Sequence, residues 1–95
     1  MGYGKAKPKV FEVEVEGDKF FFKRLRANDF TVINDLPVKD QPYSMVLNGA
    51  CDENGDDIIL DGKPLSVADI KDLELPVFSE LITFVKEINF DQKKS

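Results

Sequence analysis

Between Val10 and Leu25 apolar and polar positions alternate, the period-2 pattern of β-strands with one wet face. Val10-Phe11-Glu12-Val13-Glu14-Val15-Glu16 reads as a first strand and Lys19-Phe20-Phe21-Phe22-Lys23-Arg24 as its return. Gly17-Asp18 supplies the turn between them, because glycine tolerates the positive φ of a two-residue hairpin loop. With the turn there, Val15 faces Phe20 and Val13 faces Phe22 on the core side. Phe21 then falls beside Glu14, on the face that Glu12, Glu14 and Glu16 keep wet. An aromatic in that position points to a contact.

Beyond the hairpin the period lengthens to that of helices. Asn28 is read as an N-cap followed by Asp29, with Phe30, Ile33 and Leu36 toward the core and Pro37 as the stop. Pro42 suits the first turn of a second helix, in which Tyr43, Val46, Leu47 and Ala50 recur at i, i+3, i+4 and i+7; Asn48-Gly49 leaves its end open. Asp52-Glu53-Asn54-Gly55-Asp56-Asp57 is an acidic turn, Ile58-Ile59-Leu60 suits a short third strand, and Asp61-Gly62 turns again. Ser66 with Asp69 forms a capping pattern for a short helix carrying Val67, Ile70 and Leu73.

The clearest helix is the last, with Pro76 in its first turn and an end near Asn89. Val77, Phe78, Leu81, Ile82, Phe84, Val85 and Ile88 cover an arc of roughly 160°, wider than the ~100° stripe of a surface helix. Such a helix is either central in a small core or presents one edge, at Phe84 or Phe78, to another chain. The fold class is therefore α+β: an N-terminal antiparallel β-hairpin packed on three to four helices. Residues 10–90 are expected to form a single globular domain, flanked by a flexible basic tail at 1–9 and a polar tail at 91–95.

Composition agrees with a folded chain: 95 residues, 42% hydrophobic and 33% charged, suffice for a core without disulfides. No apolar stretch approaches the ~20 residues of a membrane span, and the N-terminus lacks the apolar centre of a signal peptide. With a lone cysteine, Cys51, this places the chain in the cytoplasm, away from membranes. Residues 1–39 hold eight Lys/Arg against six Asp/Glu, and residues 40–95 hold five against twelve. An acidic C-terminal half argues against nucleic acid, which needs clustered cations. The basic head at Lys5, Lys7 and Lys9 is either a contact for an acidic partner or a solvated terminus.

Candidate chemistry is sparse. Histidine is absent, which removes the usual general base, the Ser-His-Asp arrangement and the commonest metal ligand together. Cys51 has no histidine with which to pair and reads as a helix-end packing residue; zinc is not expected. Tested as a calcium loop with Gly55 at position 6, the acidic turn puts Ala50 at position 1, Asp57 at 8 and Asp61 at 12, which fails at all three. Gly49, Gly55 and Gly62 are too far apart for a phosphate cradle, and Asp56-Asp57 are ordinary surface acids. The sequence predicts no catalysis, no cofactor and no metal.

The order of parts resembles the small tail assembly chaperones of long-tailed bacteriophages. The resemblance lies in the hairpin Phe11-Glu12-Val13-Glu14-Val15-Glu16-Gly17-Asp18-Lys19-Phe20, the exit Lys23-Arg24-Leu25 and the capped helix at Asn28-Asp29-Phe30. It continues in the Asp52-Glu53-Asn54-Gly55 turn and the closing helix Leu81-Ile82-Thr83-Phe84-Val85-Lys86-Glu87-Ile88-Asn89, so that it covers about residues 10–90 as a pattern of elements. Ile58-Ile59-Leu60 is an addition to that pattern. The resemblance implies a non-enzymatic chaperone of the host cytoplasm, with partners in the tape measure protein, whose apolar helices it keeps soluble, and the tail tube protein. Members often have a longer form made by ribosomal frameshifting. Phe21, Tyr43, Phe78 and Phe84 are the candidate partner-binding residues, and a homo-oligomer is left open. The competing reading is a small adaptor or inhibitor domain of β-grasp type that binds one folded partner, since hairpin, helix and Leu60-Asp61-Gly62-Lys63-Pro64-Leu65 occur in that order.

Overall fold

The computed structural model describes residues 9–90. The expectations for Lys5, Lys7 and the rest of residues 1–8, and for residues 91–95, lie outside it. The fold is α+β, as the sequence indicates. Strands β1 (Val10–Val15) and β2 (Asp18–Lys23) form the antiparallel hairpin.

The hairpin register differs from the expected one by two residues. The two turn residues are Glu16 and Gly17, at φ 51° and 87°, so Asp18 belongs to β2 and lies opposite Val15. Positive φ at both positions is the type I′ turn, whose twist matches that of the flanking strands. The register sets Glu14 opposite Lys19, Val13 opposite Phe20 and Phe11 opposite Phe22, pairing charge with charge and apolar with apolar. A shift of two leaves every side chain on its predicted face. Phe21 stays on the acidic face but lies opposite Glu12, not Glu14, and Glu16 leaves the strand for the turn.

Glutamate in a left-handed turn position is unfavourable, so Glu16→Asn should raise the unfolding free energy by about 0.5–1 kcal/mol. Urea titration of the two proteins measures it. A neutral or negative effect would favour the turn at Gly17-Asp18.

Helix α1 (Ala27–Asn34) begins two residues earlier than an N-cap at Asn28 implied. Arg26 is its N-cap, and the Arg26 N–H donates to Asp29 Oδ2 at 2.9 Å. Ile33 is buried as expected, whereas Phe30 is exposed, its ring centroid 5.7 Å from that of Phe90. Leu36 lies half-buried beyond the helix end. A short 3-10 turn at Val38–Asp40 leads into α2 (Gln41–Gly49), with Pro42 in its first turn.

The chain then passes from helix to strand without a loop. Ala50–Cys51 forms β3, antiparallel to β2, with Phe22 opposite Ala50 and Phe21 opposite Cys51. The third strand of the sheet is therefore here, at the residues expected to close the helix. Gly49 lies close against β2 at the junction: a Cβ on it would stand 3.4 Å from both the Lys23 carbonyl oxygen and Phe22 Cδ2. Ile59–Leu60 is a strand as predicted, β4, but it pairs with β5 (Lys63–Pro64) in a separate ribbon turned by Asp61-Gly62.

Helix α3 (Val67–Lys71) has the predicted cap: the Ser66 N–H and Oγ both donate to Asp69 Oδ2, at 2.9 and 3.0 Å. Helix α4 (Leu75–Phe90) packs against both β1 and α2. Its Leu81 and Val85 are fully buried with Val15, Phe22, Ile33, Met45, Val46 and Ile70, and the rest of its broad apolar arc packs onto that cluster. Its end is clasped by the segment after β2. Arg24 Nε donates to the Ile88 carbonyl at 2.9 Å, and the Leu25 N–H donates to Asn89 Oδ1 at 2.8 Å. Among the described residues no helix is long and apolar enough to cross a membrane.

Candidate functional site

Because β3 has only two residues, it pairs with β2 at Phe21 and Phe22 and leaves Phe20 beyond its reach. The gap between that part of β2, α3 and the β4–β5 ribbon is an open cleft of about 260 Å³. Phe20, Phe21 and Phe22 supply one wall, Ile58, Leu60 and Leu65 the ribbon side, Ile70 and Leu73 the α3 side, and Leu81 lies at its inner end. One ionisable residue, Asp69, belongs to the lining, and its carboxylate already accepts from Ser66. The cleft thus offers apolar contact and no group poised for proton transfer.

Why the cleft stays open follows from the ribbon. A ribbon of two-residue strands has no second layer to cover its side chains. Ile59 is 58% and Leu60 46% exposed, although both are large aliphatic residues. The sequence carried this signal as an apolar run between two acidic turns, but Ile58, Leu60, Leu65 and Leu73 were not anticipated as site residues.

The four predicted contact residues occupy three places. Phe21 is half-buried; it contributes to the cleft and to a shallow groove shared with Lys19, Cys51 and Asn54. Tyr43 and Phe78 stack on one another at the α2–α4 seam, with centroids 4.9 Å apart and planes 30° from parallel. Lys71 Nζ lies 5.3 Å from the Tyr43 ring centroid and 3.9 Å from Asp40 Oδ1. Phe84 is half-buried and packs on the core, its ring 6.0 Å from that of Phe22.

The acidic turn is organised by its own backbone. Asp52 Oδ1 accepts from the Asn54 and Asp56 N–H groups at 2.8 and 2.9 Å, which holds the carboxyl below the usual aspartate range. This loop is held best above that range and loosens as pH falls through the lowered value. Among the described residues no three His, Cys, Asp or Glu side chains stand together to hold a metal ion. A second hollow, of about 290 Å³, brings together Lys23, Arg26, Asp29 and Asp57, charges of both signs. Its cations are partly engaged, Lys23 with the Gly55 carbonyl and Arg26 with Asp29.

Cys51 is a strand residue, not a helix end, and is fully buried beneath the acidic loop. Burial pushes its thiol pKa up, and nearby Lys23 offsets part of that. In the native protein it should react with a disulfide reagent at pH 8 on the order of 10²–10³-fold more slowly than in denaturant, since reaction requires opening. Equal rates in the two conditions would mean that the β2–β3 pairing is absent in solution.

Comparison with protein-family models, with curated proteins and with solved structures gives no match. The functional reading therefore rests on the site.

Proposed function

We propose that this chain is a tail assembly chaperone of long-tailed phages. It acts in the host cytoplasm without catalysis, holding apolar helical segments of the tape measure protein in solution and helping to recruit tail tube subunits. One observation carries this reading: a preformed apolar cleft, open to solvent, in a chain that carries a net charge of −5. A cleft of about 260 Å³ with apolar walls can take the anchor side chains of a polypeptide. The acidic surface keeps an apolar binder soluble.

Of the residues suggested by the sequence, Phe21 belongs to this contact. Tyr43 and Phe78 form a second apolar seam on which tube subunits or another copy of the chain would dock, and Phe84 supports the core behind the site. The test is co-expression with a tape measure protein of a long-tailed phage. The client should move from the insoluble to the soluble fraction when this chain is present, and Leu60→Glu should reverse the effect. A client equally soluble with and without the chain would overturn the reading in favour of the adaptor.

A further inference from the structure

We infer that the cleft takes a basic amphipathic helix, anchored by its apolar face and held by its cations at an acidic rim. The inference deepens the chaperone reading by naming which client segments the site selects, and it rests on that reading for the helical form of the occupant.

Charge distribution is the first observation. Residues 52–74, which build the ribbon and α3, hold eight carboxylates and two lysines, whereas the remainder of the chain holds ten carboxylates and eleven Lys/Arg. The excess negative charge of the protein is therefore concentrated in the segment that forms the outer walls of the cleft. Within it Ile58, Leu60, Leu65 and Leu73 line the cleft; Asp61, Asp72 and Glu74, next to Leu60 and Leu73 in the chain, are exposed, and Lys63 is the one exposed cation among them on the ribbon. Lys71 is drawn away to Asp40 and the Tyr43 ring. An apolar slot inside a carboxylate rim repels phosphate-bearing ligands and anionic membranes alike, and attracts an apolar ligand flanked by cations.

What borders the slot agrees with a helical occupant. An added strand would need the free edge of β2 beyond β3, but the acidic loop lies there, with Asp52, Glu53 and Asn54 in the same groove as Lys19 and Phe21. Side-chain insertion remains, and a helix presents apolar anchors at i, i+3 and i+4 with lysines on either flank. A second copy of this chain is a poor occupant, because the exposed face of α4 carries Glu80, Lys86 and Glu87 and would meet the rim with acid.

The experiment titrates the full chain into a labelled peptide of about 18 residues, five helical turns, with leucine on one face and lysine on the other. An analogue with glutamate for lysine and a scrambled peptide of equal composition serve as controls. The lysine helix should bind about tenfold or more tighter than either control, a difference of about 1.4 kcal/mol or more, and added salt should weaken it. Leu60→Glu in the cleft wall, and Asp72→Lys with Glu74→Lys on either side of Leu73, should each weaken it at least about fivefold, since like charge and lost apolar contact both oppose docking. All three positions are exposed, so melting temperatures should stay near that of the parent. Equal binding of the glutamate analogue, indifference to both sets of substitutions, or no binding of the lysine helix would each overturn the inference. A client solubilised on co-expression while the lysine helix fails to bind would sink this inference alone. A bound lysine helix with an insoluble client would sink the chaperone reading and leave the cleft's preference standing.

Discussion

Phe22→Ala should destabilise the protein by about 3–5 kcal/mol, the range for loss of a buried phenylalanine. The side chain is 1% exposed and lies where three elements converge. It stands opposite Phe11 on β1 and Ala50 on β3, with the Phe84 ring 6.0 Å away and Gly49 closing against its edge. The void left by alanine would join the existing cleft, whose walls already stand apart, so collapse around it is limited. Domains of this size have about 5–15 kcal/mol of stability in total, so the variant should be near its folding limit at 37 °C. Chemical denaturation measures the loss. A change under about 1 kcal/mol would place Phe22 at the surface and reverse the faces of the hairpin. Phe21→Ala, on the acidic face, should cost less than Phe22→Ala in the same measurement.

Leu81→Ala should cost about 2–5 kcal/mol, for a related reason on the opposite side of the core. Leu81 is 1% exposed and sits one helical turn before Val85, which is fully buried. These two residues form the deepest line of α4, and Leu81 also reaches the inner end of the cleft. Leu75 belongs to the same helix but is 76% exposed, and Leu75→Ala should stay within about 0.5 kcal/mol of the parent. The contrast between two leucines of one helix fixes its rotation. A loss below about 0.5 kcal/mol for Leu81→Ala would mean that α4 does not lie across the hairpin. Because Leu81 and Phe22 border the same void, their double variant should deviate from additivity by about 0.5–3 kcal/mol.

The elements most legible in the sequence were those fixed by local chemistry. Alternation placed the hairpin residues on their faces, Ser66 with Asp69 announced α3, and the spacing of Leu81, Val85 and Ile88 announced α4. The hairpin turn was misplaced by one residue because glycine can stand at either position of a two-residue loop, and either register sets a glutamate opposite Lys19. β3 was hidden because two residues are too few to show a period, and its strand character comes from pairing with β2. Phe30 satisfied helical spacing yet faces outward, since α1 has only Ile33 fully buried. The cleft was the least legible feature, being made where elements fail to meet, and spacing within one element carries no record of such gaps.

The clasp between the end of β2 and the end of α4 bears on how the molecule is made. Arg24 and Leu25 find their partners in Ile88 and Asn89, 64 residues later. On a ribosome adding ~5–20 residues per second, the hairpin waits several seconds for the helix that completes its core. Throughout that interval Phe22, Val46 and Ile33 have no Leu81 or Val85 to cover them. The nascent chain then exposes apolar surface to whatever folding helpers the cell supplies, and a slow stretch of messenger before the codon for Leu81 would lengthen that exposure.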